Sequence, residues 1–139
     1  MDTLAEALKD VILRNKDRTK PVRVPDVSFQ NTERRGTVNV VYYPFVSVEG
    51  TPLTQYASLR RLKSLVITHA EVAPRGGAVI NGACEELLAD AELAPFLQGI
   101  AVEAVLSDAF AAHLAQSGWT EYPMMSGTFT KRAPKQSNA

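Results

Sequence analysis

Between Ser64 and Trp119 the chain alternates strand-like and helix-like patterns, and this alternation restricts the possible folds more than any other feature. The run from Leu65 to Val72 has strand composition and stops at Pro74, Arg75, Gly76 and Gly77, a turn signal. Beyond it, Ile80, Ala83, Cys84, Leu87, Leu88 and Ala91 recur with the period of an amphipathic helix. A second, largely apolar run from Gly99 to Val105 reads as a strand covered on both faces. Ser107 and Asp108 then supply capping groups for a helix through Phe110 and Leu114. It stops at Gly118, and Trp119 follows as an anchor. Two strands joined through a helix are expected to lie side by side and parallel. The expected fold is therefore α/β, a mixed sheet flanked by helices.

A helix that opens from a glycine turn leaves its first N–H groups unpaired, and its dipole adds roughly half a positive charge there. Such an end attracts phosphate. Gly76 and Gly77 would let the backbone approach an anion closely, and Arg75 could add a charge-assisted contact. The same residues also make an ordinary strand-to-helix turn, and the motif alone leaves both readings open.

Arg75-Gly76-Gly77-Ala78-Val79 ahead of a helix, followed by the stretch from Val102 to Trp119, resembles the GCN5-related N-acetyltransferase (GNAT) family over roughly the second half of the chain. The resemblance implies that this turn takes the pyrophosphate of coenzyme A, with contacts from Arg75, Gly76, Gly77, Ala78, Val79 and Ile80. It implies that Ser107 lies near the position of a family Asn. It also implies that backbone around Ala70 and Val72 holds the thioester, a backbone N–H there serving the oxyanion. Departures are visible. Ala78 stands where a Gly is expected, Ile80 where a small residue is expected, and Leu114 where the family carries a tyrosine acid.

Composition narrows the remaining classes. The 139 residues suit one domain, with 1–133 expected to form it and 134–139 a polar tail. Lys plus Arg and Asp plus Glu number 15 each, which removes the strong net basic charge of a non-specific nucleic-acid binder. No apolar run approaches a membrane span, and the first twenty residues carry charges throughout, so a cytoplasmic protein is expected. Cys84, the single cysteine, falls on the apolar stripe of its helix and reads as a buried structural thiol. His69 and His113 lie far apart without cysteine partners, so no metal site is expected.

The first half is less decisive. Thr3 and Glu6 form a capping-box pattern ahead of Leu4, Ala5, Leu8, Val11 and Ile12, predicting a first helix that ends near Lys16. Val22 to Phe29, with Pro21 and Pro25, reads as an edge strand or a loop crossing. Thr37 to Val48 is the clearest early strand, with a bend at Pro44. The segment Leu53 to Leu59 is expected to pair back on it as a hairpin, although Leu59 and Leu62 also fit a helix. Thr128, Phe129 and Thr130 predict a last strand, and Lys131 to Ala139 a frayed end.

The leading functional expectation is transfer of an acetyl or other acyl group from acetyl-CoA, the acyl donor, to an amine on a small molecule or protein. The reaction comes from the resemblance. An amine with a pKa near 10 is neutral in only about one molecule per thousand at pH 7, so a base is required. His69 and Glu71 lie two apart on a strand and share one face, with Cα atoms roughly 6.6 Å apart. Glu71, with His69 second, is expected to act as that base through water. Two alternatives stand beside this one. The first is a binding protein that has lost catalysis. The second is a nucleic-acid or protein-interaction module, favoured if Arg34, Arg35, Arg60, Arg61 and Lys63 converge on one face. A homodimer is compatible with all three.

Overall fold

The computed structural model describes residues 3–30, 35–48, 51–52, 54–73, 77–103, 105, 107–123 and 127–134. The first helix, α1 (Leu4–Asn15), has a complete capping box: the Thr3 hydroxyl accepts from the Glu6 N–H, and the Glu6 carboxylate accepts from the Thr3 N–H. Two donors that a helix start leaves unpaired are thereby satisfied. Leu4, Ala5, Leu8, Val11 and Ile12 are buried together, as their spacing predicts. From the same helix Lys9 reaches Asp90 and Glu92 at 2.8 and 2.9 Å, tying α1 to the turn behind the central helix.

The strands are β1 (Val22–Gln30), β2 (Arg35–Tyr43), the two-residue β3 (Ser47–Val48) and β4 (Thr51–Pro52), β5 (Ser64–Ala73), β6 (Gly99–Val102), β7 (Thr120–Glu121) and β8 (Phe129–Arg132). Between β5 and β6 runs α2 (Gly77–Ala89), and between β6 and β7 runs α3 (Asp108–Gln116). Six strands form one sheet in the order β1-β2-β5-β6-β8-β7, while β3 and β4 pair with each other. Among the described residues only β5 and β6 are parallel, in register from Ser64 opposite Gly99 to Ile67 opposite Val102. The helix-joined parallel pair read from the sequence is present, and the fold is α/β with a mixed sheet.

Side chains sort to two faces with the period of two that strands impose. Val38, Val40, Tyr42, Leu65, Ile67, Ile100 and Val102 join residues of α1, α2 and α3 in the large core. Val66 and Ala101 point the other way, to a smaller cluster with Tyr56, Leu59 and Leu62. That second cluster explains one correction. Leu53 to Leu59 does not return as a strand: Ala57–Leu59 is a short 3₁₀ turn, and the antiparallel partners of β2 are β1 and β5. Tyr56, Leu59 and Leu62 are three apart, a helical spacing that buries all three on one side, and this outweighs any alternation. Leu53 itself lies outside the described residues.

The partner of β2 on its outer side is instead the proline-bearing segment, which forms the edge strand β1 with a register shift between Val24 and Val27. At that bulge Asp26 adopts φ 54° and donates its N–H to Asn39 Oδ1 at 2.8 Å. Pro25 is thus accommodated where the ladder is already interrupted. At the C-terminal side Lys131 and Arg132 are not frayed. They are paired residues of β8, opposite Ile100 and Gly99. Among the described residues no helix is long and apolar enough to cross a membrane.

Candidate functional site

The parallel pair that organises the sheet does not stay together. Its last contact is the Glu103 N–H donating to the Ile67 carbonyl at 2.8 Å, and among the described residues no further rung follows. Two local causes pull the strands apart. On one side β5 carries a bulge at Thr68, where Asn39 and Val40 of β2 pair with His69 and Ile67, and a bulge bends and twists its strand. On the other, Val105 donates its N–H to the Gly127 carbonyl at 2.9 Å, drawing the chain beyond β6 toward β8. Gly127 has φ 82°, and a Cβ there would stand 3.0 Å from the Val105 carbonyl oxygen, so the close approach depends on glycine.

The parting strands leave a cleft of about 770 Å³. Ala70 and Val72 line it from β5, Gly77, Ala78 and Ile80 from α2, and Ser107, Phe110 and His113 from the α3 segment. Its size lies in the range of small-molecule and cofactor sites, about 300–1,000 Å³. α2 opens into it at Gly77 with no acidic residue in its first turn, and a helix start carries a partial positive charge. A Cβ on Gly77 would lie 3.0 Å from the Phe110 ring, so the glycine lets α3 pack against the start of α2.

The bulge also decides which β5 side chains face where. Ala70 and Val72 continue the core-facing series of Leu65 and Ile67, so His69 and Glu71 project from the opposite face. Those two side chains share a face and meet: His69 Nε2 and Glu71 Oε1 are 3.1 Å apart. Their side chains are 56% and 76% exposed, open to an incoming molecule. His69 lines the cleft, whereas Glu71 borders a shallower depression with Phe29, Arg35 and Gly36.

Of the other expected site residues, Ser107 lines the cleft, but its hydroxyl is already engaged as the N-cap of α3, accepting from the Phe110 N–H at 3.2 Å. Val79 packs against the large core and does not line the cleft. Arg75 and Gly76 lie outside the described residues. Leu114 is wholly buried, with nothing polar to offer.

Two polar residues of the cleft were not singled out as site residues from sequence. Glu103 lies half-buried where the strands part, and burial raises its carboxyl pKa above the ordinary value, partly opposed by the Arg23 guanidinium. Its signal was hidden because the run from Gly99 to Val105 reads as apolar strand, and only the parting of β5 and β6 opens a cavity at that position. His113 lines the cleft one helical turn beyond Ala109. Its position next to Leu114 was the only cue available.

Two of the basic residues weighed as an interaction face, Arg35 and Lys63, lie far apart. Arg35 pairs opposite Ala73 at one end of β5, whereas Lys63 precedes Ser64 at the other, roughly 30 Å away along ten strand residues. Lys63 donates to the Pro95 carbonyl and lies over the Phe96 ring, a structural use of its charge. Arg34 lies outside the described residues.

No protein-family model matches this chain. No curated protein matches it either. Among solved structures it is similar to a chain from one described as "The crystal structure of KacTA-DNA complex", at 13% identity and a TM-score of 0.38, covering 99% of this chain and 86% of that one. Values this low assign neither fold nor function.

Proposed function

We propose that this protein is a GNAT-like acyltransferase that holds acyl-coenzyme A in the cleft between β5 and β6 and passes the acyl group to an amine. The observation that carries the reading is the cleft itself, formed where a parallel pair separates over the N-terminal end of α2. Beyond Ile67, the β5 backbone groups facing away from β2 find no strand partner among the described residues. In this reading they pair with the amide groups of a pantetheine arm, and an N–H between Ala70 and Val72 stabilises an oxyanion developing on the thioester carbonyl. The first-turn N–H groups of α2, at Gly77 and Ala78, suit the pyrophosphate.

The acceptor amine approaches from the face that carries His69 and Glu71. His69, lining the cleft, takes a proton from the attacking amine through water, and Glu71 orients the ring through the 3.1 Å contact. The amine nitrogen bonds to the acyl carbon, the carbon–sulfur bond breaks, and the thiolate takes its proton from solvent. Leu114 supports this last point, because a buried leucine cannot donate one.

A second reading has its own observation. The same buried Leu114, with the Ser107 hydroxyl committed to a helix cap, favours a protein that binds acyl-coenzyme A without turning it over. Acetyl-CoA at 100 times its dissociation constant should stabilise the fold by about 2.7 kcal/mol, which raises Tm by roughly 5–10 °C for a chain of this size. An unchanged Tm would sink both readings. Where stabilisation is found, release of free thiol in the presence of a panel of amines separates them. His69→Ala should then cut turnover about 100-fold or more, and full activity in that variant would remove His69 from the reaction.

A further inference from the structure

Asn81, in the second turn of α2, is 3% exposed and sits at the centre of a polar cluster behind the cleft. Its Oδ1 accepts from Trp119 Nε1–H at 2.8 Å. Its Nδ2 lies 2.9 Å from Glu85 Oε1, 3.1 Å from Ser117 Oγ and 3.1 Å from His113 Nε2. These partners fix which end of the amide is which. An indole N–H can only donate and an ionised carboxylate can only accept, so the oxygen faces Trp119 and the NH₂ faces Glu85.

The same NH₂ group therefore faces His113 Nε2, and an amide nitrogen is a donor only. Were Nε2 to carry a hydrogen aimed at Asn81, two N–H groups would oppose each other across 3.1 Å in a part-buried site. The NH₂ group has two hydrogens for its three neighbours, and His113 can take a share only through a lone pair on Nε2, the arrangement that puts the ring proton on Nδ1. Among the described residues Nδ1 has no protein partner, and the ring forms part of the cleft wall.

We infer that His113 is a binding residue, an imidazole oriented by Asn81 so that its Nδ1–H is offered to an acceptor oxygen of the molecule in the cleft. This rests on the acyl-coenzyme A reading above. In that ligand the oxygen belongs either to a carbonyl of the pantetheine arm or to a phosphate. While Nε2 accepts from Asn81, Nδ1 is left as the donor. The ring also stays fixed, since Trp119 is anchored in the core at 5% exposure and Ser117 is tied to β8 by Lys131 Nζ donating to its carbonyl at 2.8 Å.

Nitrogen NMR of the wild-type protein without ligand tests the tautomer directly. Nδ1 should carry the proton and Nε2 should resonate as a bare ring nitrogen; a proton on Nε2 would overturn the inference whatever the protein binds. The second measurement is affinity for coenzyme A, S-acetylpantetheine and adenosine 3′,5′-bisphosphate in the wild type and His113→Phe. Loss of one hydrogen bond should weaken coenzyme A about tenfold. A matching loss for S-acetylpantetheine alone would identify a carbonyl oxygen, and for the bisphosphate alone a phosphoryl oxygen. Wild-type binding with unchanged affinities in His113→Phe would overturn the role of His113 and leave the acyl-coenzyme reading standing. No binding of coenzyme A by the wild type would remove that reading and, with it, this one.

Discussion

Glu103 stands where the two parallel strands part, and its carboxyl is half-buried with no ion pair among the described residues. Burial raises its pKa above the ordinary carboxylate value, and the same charge contributes to raising the pKa of Tyr43 beside it, after burial. The folded-state value lies above the unfolded one. The native protein therefore binds the proton more readily, and this group's contribution to stability is fully present below the unfolded pKa and lost as pH rises through the folded one. Glu103→Gln should accordingly raise Tm at pH 7, where the wild type holds a partly desolvated carboxylate, and the gain should vanish near pH 4, where both side chains are neutral. An equal Tm difference at both pH values would mean that packing, and not charge, separates the two proteins. Arg23 opposes the shift, so adding Arg23→Ala to both proteins should enlarge the Tm gain from Glu103→Gln at pH 7.

At the scale of the element, β2 and β5 form the most extended pairing in the sheet, from Arg35 opposite Ala73 to Tyr43 opposite Ser64. Gly36 is the residue that permits their closest approach. A Cβ there would lie 2.3 Å from the Glu71 carbonyl oxygen and 2.8 Å from the Val72 Cα, and backbone atoms cannot rotate aside as a side chain can. Gly36→Ala should destabilise the protein by about 1–3 kcal/mol or more in urea unfolding, since the overlap is resolved only by moving one strand. It should also reduce acetyl-CoA affinity, because the strand displaced carries Ala70 and Val72. Wild-type stability in this variant would show that the two strands separate at that end without cost. The β5–β6 pairing is shorter and is pinned at its start: the Gln98 N–H donates to the Lys63 carbonyl at 2.7 Å, and Gln98 Oε1 accepts from the Lys63 N–H at 3.0 Å. With register set at that end and Gly127 drawing Val105 away at the other, the cleft is a property of two elements and not of any one residue.

For the whole molecule, the large core joins α1, α2, α3 and the sheet in one cluster, so local opening should be limited. Cys84 reports on this. It is completely buried, and burial pushes its thiol up to about 12, so in the native state it offers neither access nor thiolate. Labelling by a thiol reagent should proceed at the rate set by global unfolding, slow further when acetyl-CoA is bound, and follow the urea dependence of the whole domain. Rapid labelling insensitive to urea would reveal a local opening of α2, the helix that borders the cleft.

Much of this was legible in the chain. The capping box of α1, the helical stripe from Ile80 to Leu88, the parallel order of the strands around it, and the Ser107 cap each rest on contacts a few residues apart or on a repeating apolar period, and such signals are written in sequence. That His69 and Glu71 share a face was legible for the same reason, whereas their contact is seen only in the folded chain. Long-range competition decided the rest. Whether Val22–Gln30 or Leu53–Leu59 paired with β2 depended on which one the second face needed as a cover, and Tyr56, Leu59 and Leu62 settled that by burial. The cleft, the half-buried Glu103 and the orientation of His113 exist because strands on either side of α2 part company and helices exchange a hydrogen bond between residues 32 positions apart. Residues that distant leave no shared period in the sequence, so only the folded chain brings them to one place.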